Sequence, residues 1–342
     1  MNILCLDIGS GTQDVLYFQD NIDLENCPKF ILPSPAANIS RQIHQLTAKK
    51  KDVYLYGENM GGNYKFALKN HIQNGFQVFI HQDAYFSLGD DLEKVKKLGV
   101  QVTDAPPKQA VPVFLTDFDP GFWSSFLKTL DLDYPDLILA CAQDHGFFPG
   151  QSNRKGRFEL WKQFINSNAN IYSFLYSTPP QRLTRLTALK QKIGQGYVAD
   201  TGVCAILGGL FDPALDQLQK EQGVCIVNVG NSHVLAFLIY QEQIYGIYEH
   251  HTKKLSGQEI WEHLNQFKQG QLSNQEVFAS NGHGCVYRAF PPNINFYPTF
   301  VLGPQRNKLA SFQVTFLCPG GDMMLAGCFG LLKAYLAKTS TQ

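Results

Sequence analysis

One short pattern occurs twice in this chain. Ile3-Leu-Cys-Leu-Asp7-Ile-Gly9-Ser-Gly-Thr-Gln-Asp-Val-Leu-Tyr-Phe18 and Val224-Cys-Ile-Val-Asn228-Val-Gly230-Asn-Ser-His-Val-Leu-Ala-Phe-Leu-Ile239 share it. Each is an apolar strand ending in a short acid or amide, then a tight glycine turn, then a second apolar strand. Runs this continuously apolar suit strands buried on both faces. Two such hairpins in opposite halves of the chain point to two similar lobes; a chance match of short hydrophobic hairpins would account for the same residues. At 342 residues the chain exceeds what one core usually serves. The expected division is an N-terminal lobe over 1–195 and a C-terminal lobe over 196–342, since no low-complexity linker marks a border.

The remaining pattern alternates strands and helices, the signature of an α/β protein. Runs 53–56, 76–80, 111–115 and 137–141 read as buried strands; 63–74, 90–98 and 120–130 read as helices, with Gly75 and Gly99 at the C-cap positions. The polar stretch 149–157 reads as an exposed loop, and 180–193 as a helix behind Pro179-Pro180. The segment 323–336 is apolar nearly all round, which predicts a core helix.

Composition excludes several partners. The 29 Lys+Arg balance 29 Asp+Glu, so no global field favours nucleic acid or an anionic membrane surface. With 44% hydrophobic residues and 17% charged, the chain should bury a large core rather than remain disordered. No apolar run approaches the ~20 residues of a membrane span. The eight cysteines show no CxxC and no paired spacing, which predicts buried, reduced thiols in a cytoplasmic protein. The N-terminus carries no basic segment before an apolar stretch, so no secretory signal is expected.

Gly9-Ser10-Gly11-Thr12 is not a dinucleotide fingerprint, because Asp14 stands at the third glycine position and a strand follows instead of a helix. Such a turn does offer closely spaced backbone N–H groups and two hydroxyls, a nest for phosphate oxygens. Asp7, at its mouth, suits a hydrated Mg²⁺. An ordinary hairpin with Gly at positive φ would account for the same residues.

Together the motifs resemble the actin/Hsp70/sugar-kinase superfamily of ATP-binding proteins. Asp7 to Thr12 is similar to its first phosphate motif and Asn228 to Ser232 to its second. Cys318-Pro-Gly320-Gly321-Asp322, after a strand at 311–317, is similar to its adenosine motif. The resemblance implies a two-lobed, actin-like (ribonuclease H-like) α/β fold with mixed sheets and flanking helices. It also implies Mg-ATP as cofactor: Gly9, Ser10, Gly11, Thr12, Gln13, Gly230, Asn231 and Ser232 at the phosphates; Gly320, Gly321 and Asp322 at the adenosine; Asp7 at the metal, through water if not directly. Asp200 in Asp200-Thr-Gly-Val resembles the catalytic base of sugar kinases. Gln143, Asp144 and His145 resemble a substrate-facing strand end.

The stretch 255–264 is similar to the helix that follows the second hairpin, although Ser256 and Glu259 also read as a plain capping box. Asn228 departs from the Asp usual at the second motif, and His233 from the usual Thr. Among narrower groups, the set resembles a domain family called "putative pyruvate formate-lyase activating enzyme". Radical activases hold an iron–sulfur cluster with CxxxCxxC, and that spacing is absent here.

Three functions follow as expectations. The first is ATP-dependent phosphoryl transfer to a small-molecule acceptor. The second is a nucleotide-dependent switch or reactivating chaperone that acts on a protein client, which Asn228 favours. The third is a metal-dependent hydrolase built on His145, His250, His251 and His283, with Asp144 beside His145. Against the third, adjacent His250 and His251 on a strand point to opposite faces, and neither HxH nor HExxH occurs. Arg154, Lys155 and Arg157 are either an anion clamp or a solvated mixed-charge loop; Arg182, Arg185, Arg288 and Arg306 are expected at the surface or in ion pairs.

Overall fold

The computed structural model describes residues 1–150 and 152–340; Gln151, within the stretch expected to be a loop, lies outside the described residues. The chain divides into two compact units. One comprises Met1–Asn21, Pro28–Gly150 and Ser177–Val198; the other comprises Ile22–Cys27, Gln151–Tyr176 and Ala199–Gln342. In place of a single border after residue 195, the segments 22–27 and 151–176 belong with the second unit.

The first unit opens with the hairpin β1 (Asn2–Ile8) and β2 (Thr12–Gln19), paired antiparallel from Asn2↔Gln19 to Ile8↔Gln13. Strand β3 (Lys29–Pro33) continues the meander, and the fully buried β8 (Leu137–Ala142) joins β1 in parallel. With β9 (Gly196–Ala199) the order is β3-β2-β1-β8-β9. A second, parallel sheet has the order β6-β5-β4-β7, from β4 (Val53–Gly57), β5 (Val78–Ile80), β6 (Val100–Val102) and β7 (Val111–Leu115).

Helices α1 (Pro35–Ala48), α2 (Lys65–Gln73), α3 (Leu92–Lys97), α4 (Pro120–Thr129) and α6 (Thr184–Ile193) complete this unit. Helix α1 escaped the sequence reading, yet its start is locally encoded. The Ser34 hydroxyl accepts from the Ala37 amide at 3.1 Å, and Pro35 occupies the first helical position. Its apolar face, Ala36, Ile39 and Ile43, packs on Val53, Leu55, Val78 and Val113 of the parallel sheet.

The second unit repeats the first sheet's plan. Strands β10 (Val224–Val229), β11 (His233–Tyr240) and β12 (Gln243–His251) form an antiparallel meander. Strands β14 (Thr299–Leu302) and β15 (Thr315–Phe316) add in parallel beyond β10, and β13 (Gly284–Tyr287) extends the far edge. The run β12-β11-β10-β14-β15 matches β3-β2-β1-β8-β9, the ribonuclease H-like order, so both hairpins begin equivalent sheets. Helices α5 (Asn153–Ser167), α7 (Thr201–Gly209), α8 (Pro213–Glu221), α9 (Gly257–Lys268), α10 (Asn274–Ala279) and α11 (Ala326–Thr339) pack around this sheet.

Two expectations change. The polar stretch 149–157 is not a loop throughout: α5 begins at Asn153, because Phe158, Trp161 and Ile165 recur at helical spacing and are buried. The strand expected over 311–317 shrinks to Thr315–Phe316. The core helix is confirmed, with residues 326–332 buried behind a short 3₁₀ turn at Met323–Leu325.

Helices α7 and α11 meet through glycines. A β-carbon on Gly208 would press into the carbonyl of Ala326, and one on Gly330 into the carbonyl of Cys204. Neither backbone can retreat inside a packed core, so overpacking here is costly. Gly330→Ala should therefore lower stability by about 3 kcal/mol, read as a fall in the urea midpoint with unchanged slope.

Candidate functional site

The two glycine turns share their backbone hydrogen bonds and differ in which carbonyl the bracing hydroxyl reaches. Gly9 N–H donates to the Thr12 carbonyl at 3.0 Å; Gly230 N–H donates to the His233 carbonyl at 2.9 Å. A β-carbon on either glycine would sit 3.0 Å from that same carbonyl oxygen, so close approach, not positive φ, selects glycine at both. A hydroxyl residue just after the third strand ties down each turn. Ser34 N–H donates to the Gly11 carbonyl and its hydroxyl to the Ser10 carbonyl, at 3.0 and 3.1 Å. Thr252 N–H donates to the Ser232 carbonyl and its hydroxyl to the Gly230 carbonyl, at 2.9 and 2.7 Å. Both hydroxyl residues are buried.

With the carbonyls engaged from behind, the tip amides are left outward. Among the described residues, the N–H groups of Ser10, Gly11, Asn231 and Ser232 donate to no backbone or side-chain acceptor, and all four residues are exposed. Exposed, adjacent N–H groups on a rigid turn are the arrangement an anion nest requires. Beside the first turn, Gln13 is buried, and among the described residues its Nε2 has no hydrogen-bond partner. Asp7 is half-buried at the end of β1, where its Oδ1 accepts from the Cys141 thiol at 3.3 Å. Directly across the hairpin stands Asp14, a second carboxylate at this strand end that the sequence reading did not single out. Asn228 occupies the position equivalent to Asp7.

The Gly320-Gly321 pair has two separate causes. Gly320, at φ +55°, presses against the Phe329 ring, where any side chain would collide. Gly321, at φ +80°, has no heavy atom within 4 Å of where a β-carbon would be, so its outer side is open to a ligand. Asp322 caps the following 3₁₀ turn by accepting from Met324 N–H at 2.9 Å.

The residues expected to handle an acceptor are tied into structure. Asp144 is buried; one carboxylate oxygen accepts from Gly146 N–H, and the other from Arg185 and Leu186 N–H at 2.9 and 3.0 Å, capping α6. The Gln143 carbonyl accepts from Arg185 Nη1, whose guanidinium also pairs with Asp117 at 2.7 Å. His145 lies in the first unit, half-buried. Asp200 caps α7 through Gly202 N–H at 3.0 Å and receives both terminal nitrogens of Arg157, at 3.0 and 3.3 Å.

Arg157 corrects the expectation of a solvated basic loop. It is 3% exposed and donates Nε to Glu249 at 2.7 Å while bridging to Asp200, and its guanidinium lies over the Trp161 ring. Burial alone would raise the Glu249 pKa, but Arg157, with smaller help from His283 and His233, pulls it well below the usual carboxylate range. Arg154 is likewise engaged, donating to the Gly282 carbonyl at 2.9 Å over the Phe278 ring. A sequence reading could have found Arg157 from its place on the buried face of α5, four residues before Trp161.

Residues 60–308 match the family described as "Putative pyruvate format-lyase activating enzyme (DUF1786)". The chain belongs to this family. The DUF1786 label implies a cluster-bearing activase, which the cysteines of this member do not fit. Seven of eight are buried, six of them in strands and helices of both units and Cys27 in a bend, and no three cysteines come together as ligands among the described residues.

No curated protein matches the chain. Solved structures similar to it include a Bacteroides thetaiotaomicron protein "with actin-like ATPase fold and unknown function" (8% identity, 96% of this chain and 95% of that one, TM-score 0.39). Another is the Listeria monocytogenes Lmo2764 protein, "a putative N-acetylmannosamine kinase" (8%, 99% and 100%, TM-score 0.39). A third is the activator of 2-hydroxyisocaproyl-CoA dehydratase from Clostridium difficile with bound ADPNP (9%, 100% and 97%, TM-score 0.31). No helix of the described residues is long and apolar enough to cross a membrane.

Removing the shared cation should be severe. Arg157→Gln leaves two buried carboxylates facing each other and should cost about 3–5 kcal/mol at neutral pH. The sign with pH follows from Glu249. Its folded pKa lies below the unfolded value of about 4.3, so its contribution is present above that value and lost as pH falls below it. Urea midpoints of wild type and variant should therefore converge on acidification from pH 6 to pH 3.

Proposed function

We propose that this protein binds Mg-ATP, gripping phosphate oxygens with the tip amides of its glycine turns, and works as a slow nucleotide-dependent switch on a protein client. The observation that carries this reading is the matching backbone hydrogen bonds of the two turns, each braced from behind by a buried hydroxyl residue and each presenting outward N–H groups. A hairpin kept only for folding has no need of that bracing twice. The turns contain no lysine or arginine, so charge neutralisation must come from backbone dipoles and a metal ion.

Asp7 is a hard carboxylate oxygen donor of the kind Mg²⁺ prefers, and the unpartnered Gln13 Nε2 is a further donor beside the same turn. Bound Mg²⁺ would offset triphosphate charge. Gly321 offers the unobstructed backbone that a flat base and ribose can approach. The slow-turnover element rests on Asn228, which contributes no carboxylate, and on Asp200 and Asp144, which are bound to Arg157 and to α6 amides.

Phosphoryl transfer to a small acceptor, with Asp200 as base and Gln143, Asp144 and His145 toward the acceptor, requires Asp200 to leave Arg157 first and is the less supported reading. Calorimetry should show Mg-dependent ATP binding, weakened at least ~10-fold in Asp7→Ala, consistent with loss of one carboxylate at the ion. After a chase, bound nucleotide should be released largely as ATP. Absence of binding to wild type overturns the proposal. Repeated turnover with a small acceptor replaces the switch with a transferase.

A further inference from the structure

We propose that His233, His251 and His283 form a binding site for a divalent transition-metal ion of the zinc class. The site lies wholly in the second unit and is independent of the nucleotide reading. His233 starts β11 and is the cross-strand partner of His251, at the end of β12. His283 lies just before β13, where its backbone N–H donates to the Glu249 carbonyl at 3.0 Å. The three rings form a nearly equilateral triangle, with centroid separations of 5.0 Å (His233–His251), 4.8 Å (His233–His283) and 4.6 Å (His251–His283). His233 and His283 each offer a ring nitrogen within 4.8 Å of the other's.

The triangle has the size a metal requires. A zinc–nitrogen bond of about 2.0–2.1 Å puts each imidazole centroid about 3.2 Å from the ion, so three tetrahedral ligands have centroids about 5.2 Å apart. The observed centroid spacings fall a few tenths of an ångström short of this, and His251 must also turn a ring nitrogen toward the His233–His283 pair, whose nitrogens already lie within 4.8 Å. His250 is excluded by the strand's alternation. On the other face of β12 its Nδ1 meets the His251 carbonyl at 3.2 Å and its Nε2 the Ser280 hydroxyl at 3.2 Å.

The setting also favours a cation. Two carboxylates, Asp200 and Glu249, share the single guanidinium of Arg157, leaving that buried group one negative charge next to the imidazoles. Burial is the largest influence on all three histidines; it pushes His283 down to about 3 and lowers His233 and His251. Neutral imidazole, with its lone pair available, is the form that binds metal. The loop is shaped to hold His283 in place. A β-carbon on Gly282 would strike the His250 ring, and one on Gly284 would strike Asn274, so neither flanking residue can carry a side chain. Imidazole ligands select borderline ions over Mg²⁺ or Ca²⁺.

The test uses the full chain, stripped with chelator and titrated with Co²⁺ as a visible probe. One equivalent should bind, with the intense d–d bands of four-coordinate cobalt, and Zn²⁺ but not Mg²⁺ should displace it. His233→Gln and His283→Gln should each weaken Co²⁺ binding by more than ~100-fold, beyond the range for outer-shell changes, with far-UV circular dichroism unchanged. Should either variant misfold, X-ray absorption of zinc-loaded wild type counts imidazole ligands directly. Three imidazoles support the site. Fewer than two, or sulfur ligation, overturns it, as does cobalt binding that survives in His233→Gln/His283→Gln.

Discussion

The second unit turns on one buried cation. Arg157, Asp200 and Glu249 come from α5, the start of α7 and β12, segments far apart in the chain, and they meet with almost no solvent access. Desolvating each ion costs several kcal/mol, and only close pairing offsets that cost. The geometry is therefore tightly specified: any drift of one element strands a charge. The Trp161 indole N–H closes the group by donating to Glu249 at 3.4 Å. Because Glu249 is held, the end of β12 is held. Its next residues, His251 and Thr252, are then fixed, and Thr252 in turn braces the second glycine turn. A chain of constraint thus runs from a salt bridge inside the unit to the exposed amides at its tip.

In the first unit the same bracing is reached by other means. Ser34 plays the part of Thr252, but it is placed by being the cap of α1 rather than by an ion pair. Its carbonyl, hydroxyl and amide hydrogen bonds satisfy α1 and the first turn together. Two unrelated local solutions converge on one turn geometry. That convergence is better explained by a requirement at the tips than by inheritance of a stable hairpin alone, since stability would not demand that the outward N–H groups stay unpaired.

Much of the architecture could be read from sequence. Apolar runs located β1, β2, β4, β7 and β8, and the resemblance between the two hairpins correctly anticipated equivalent sheets. What escaped was whatever depends on pairing between distant residues. Arg157 sits among Ser, Asn, Lys and Gly and looks solvated until the helical spacing of Phe158, Trp161 and Ile165 is weighed. Ser34 and Thr252 have nothing in common by spacing; only the register Thr12↔Pro33 and His233↔His251 shows that each follows the equivalent strand end. By resemblance Asp200 reads as a candidate base and Asp144 as substrate-facing, yet a carboxylate two residues before a glycine also describes a helix or turn cap, and sequence cannot separate the two.

The same ambiguity bears on how much chemistry the fold can support. A base must exchange its proton, whereas a cap or ion-pair partner must not, because losing its charge breaks the structure it holds. Asp144 accepts from three amides and Asp200 pairs with a buried guanidinium, so both carboxylates are already committed to holding structure. The tip amides have no such conflict. They can gain and lose an anion without disturbing the bonds behind them, since those bonds use the carbonyls. On the proposed reading, anion binding therefore draws on groups the fold leaves spare, whereas its buried carboxylates are already occupied. This asymmetry makes occupancy of the turns, rather than turnover, the property most readily coupled to a change elsewhere in the protein.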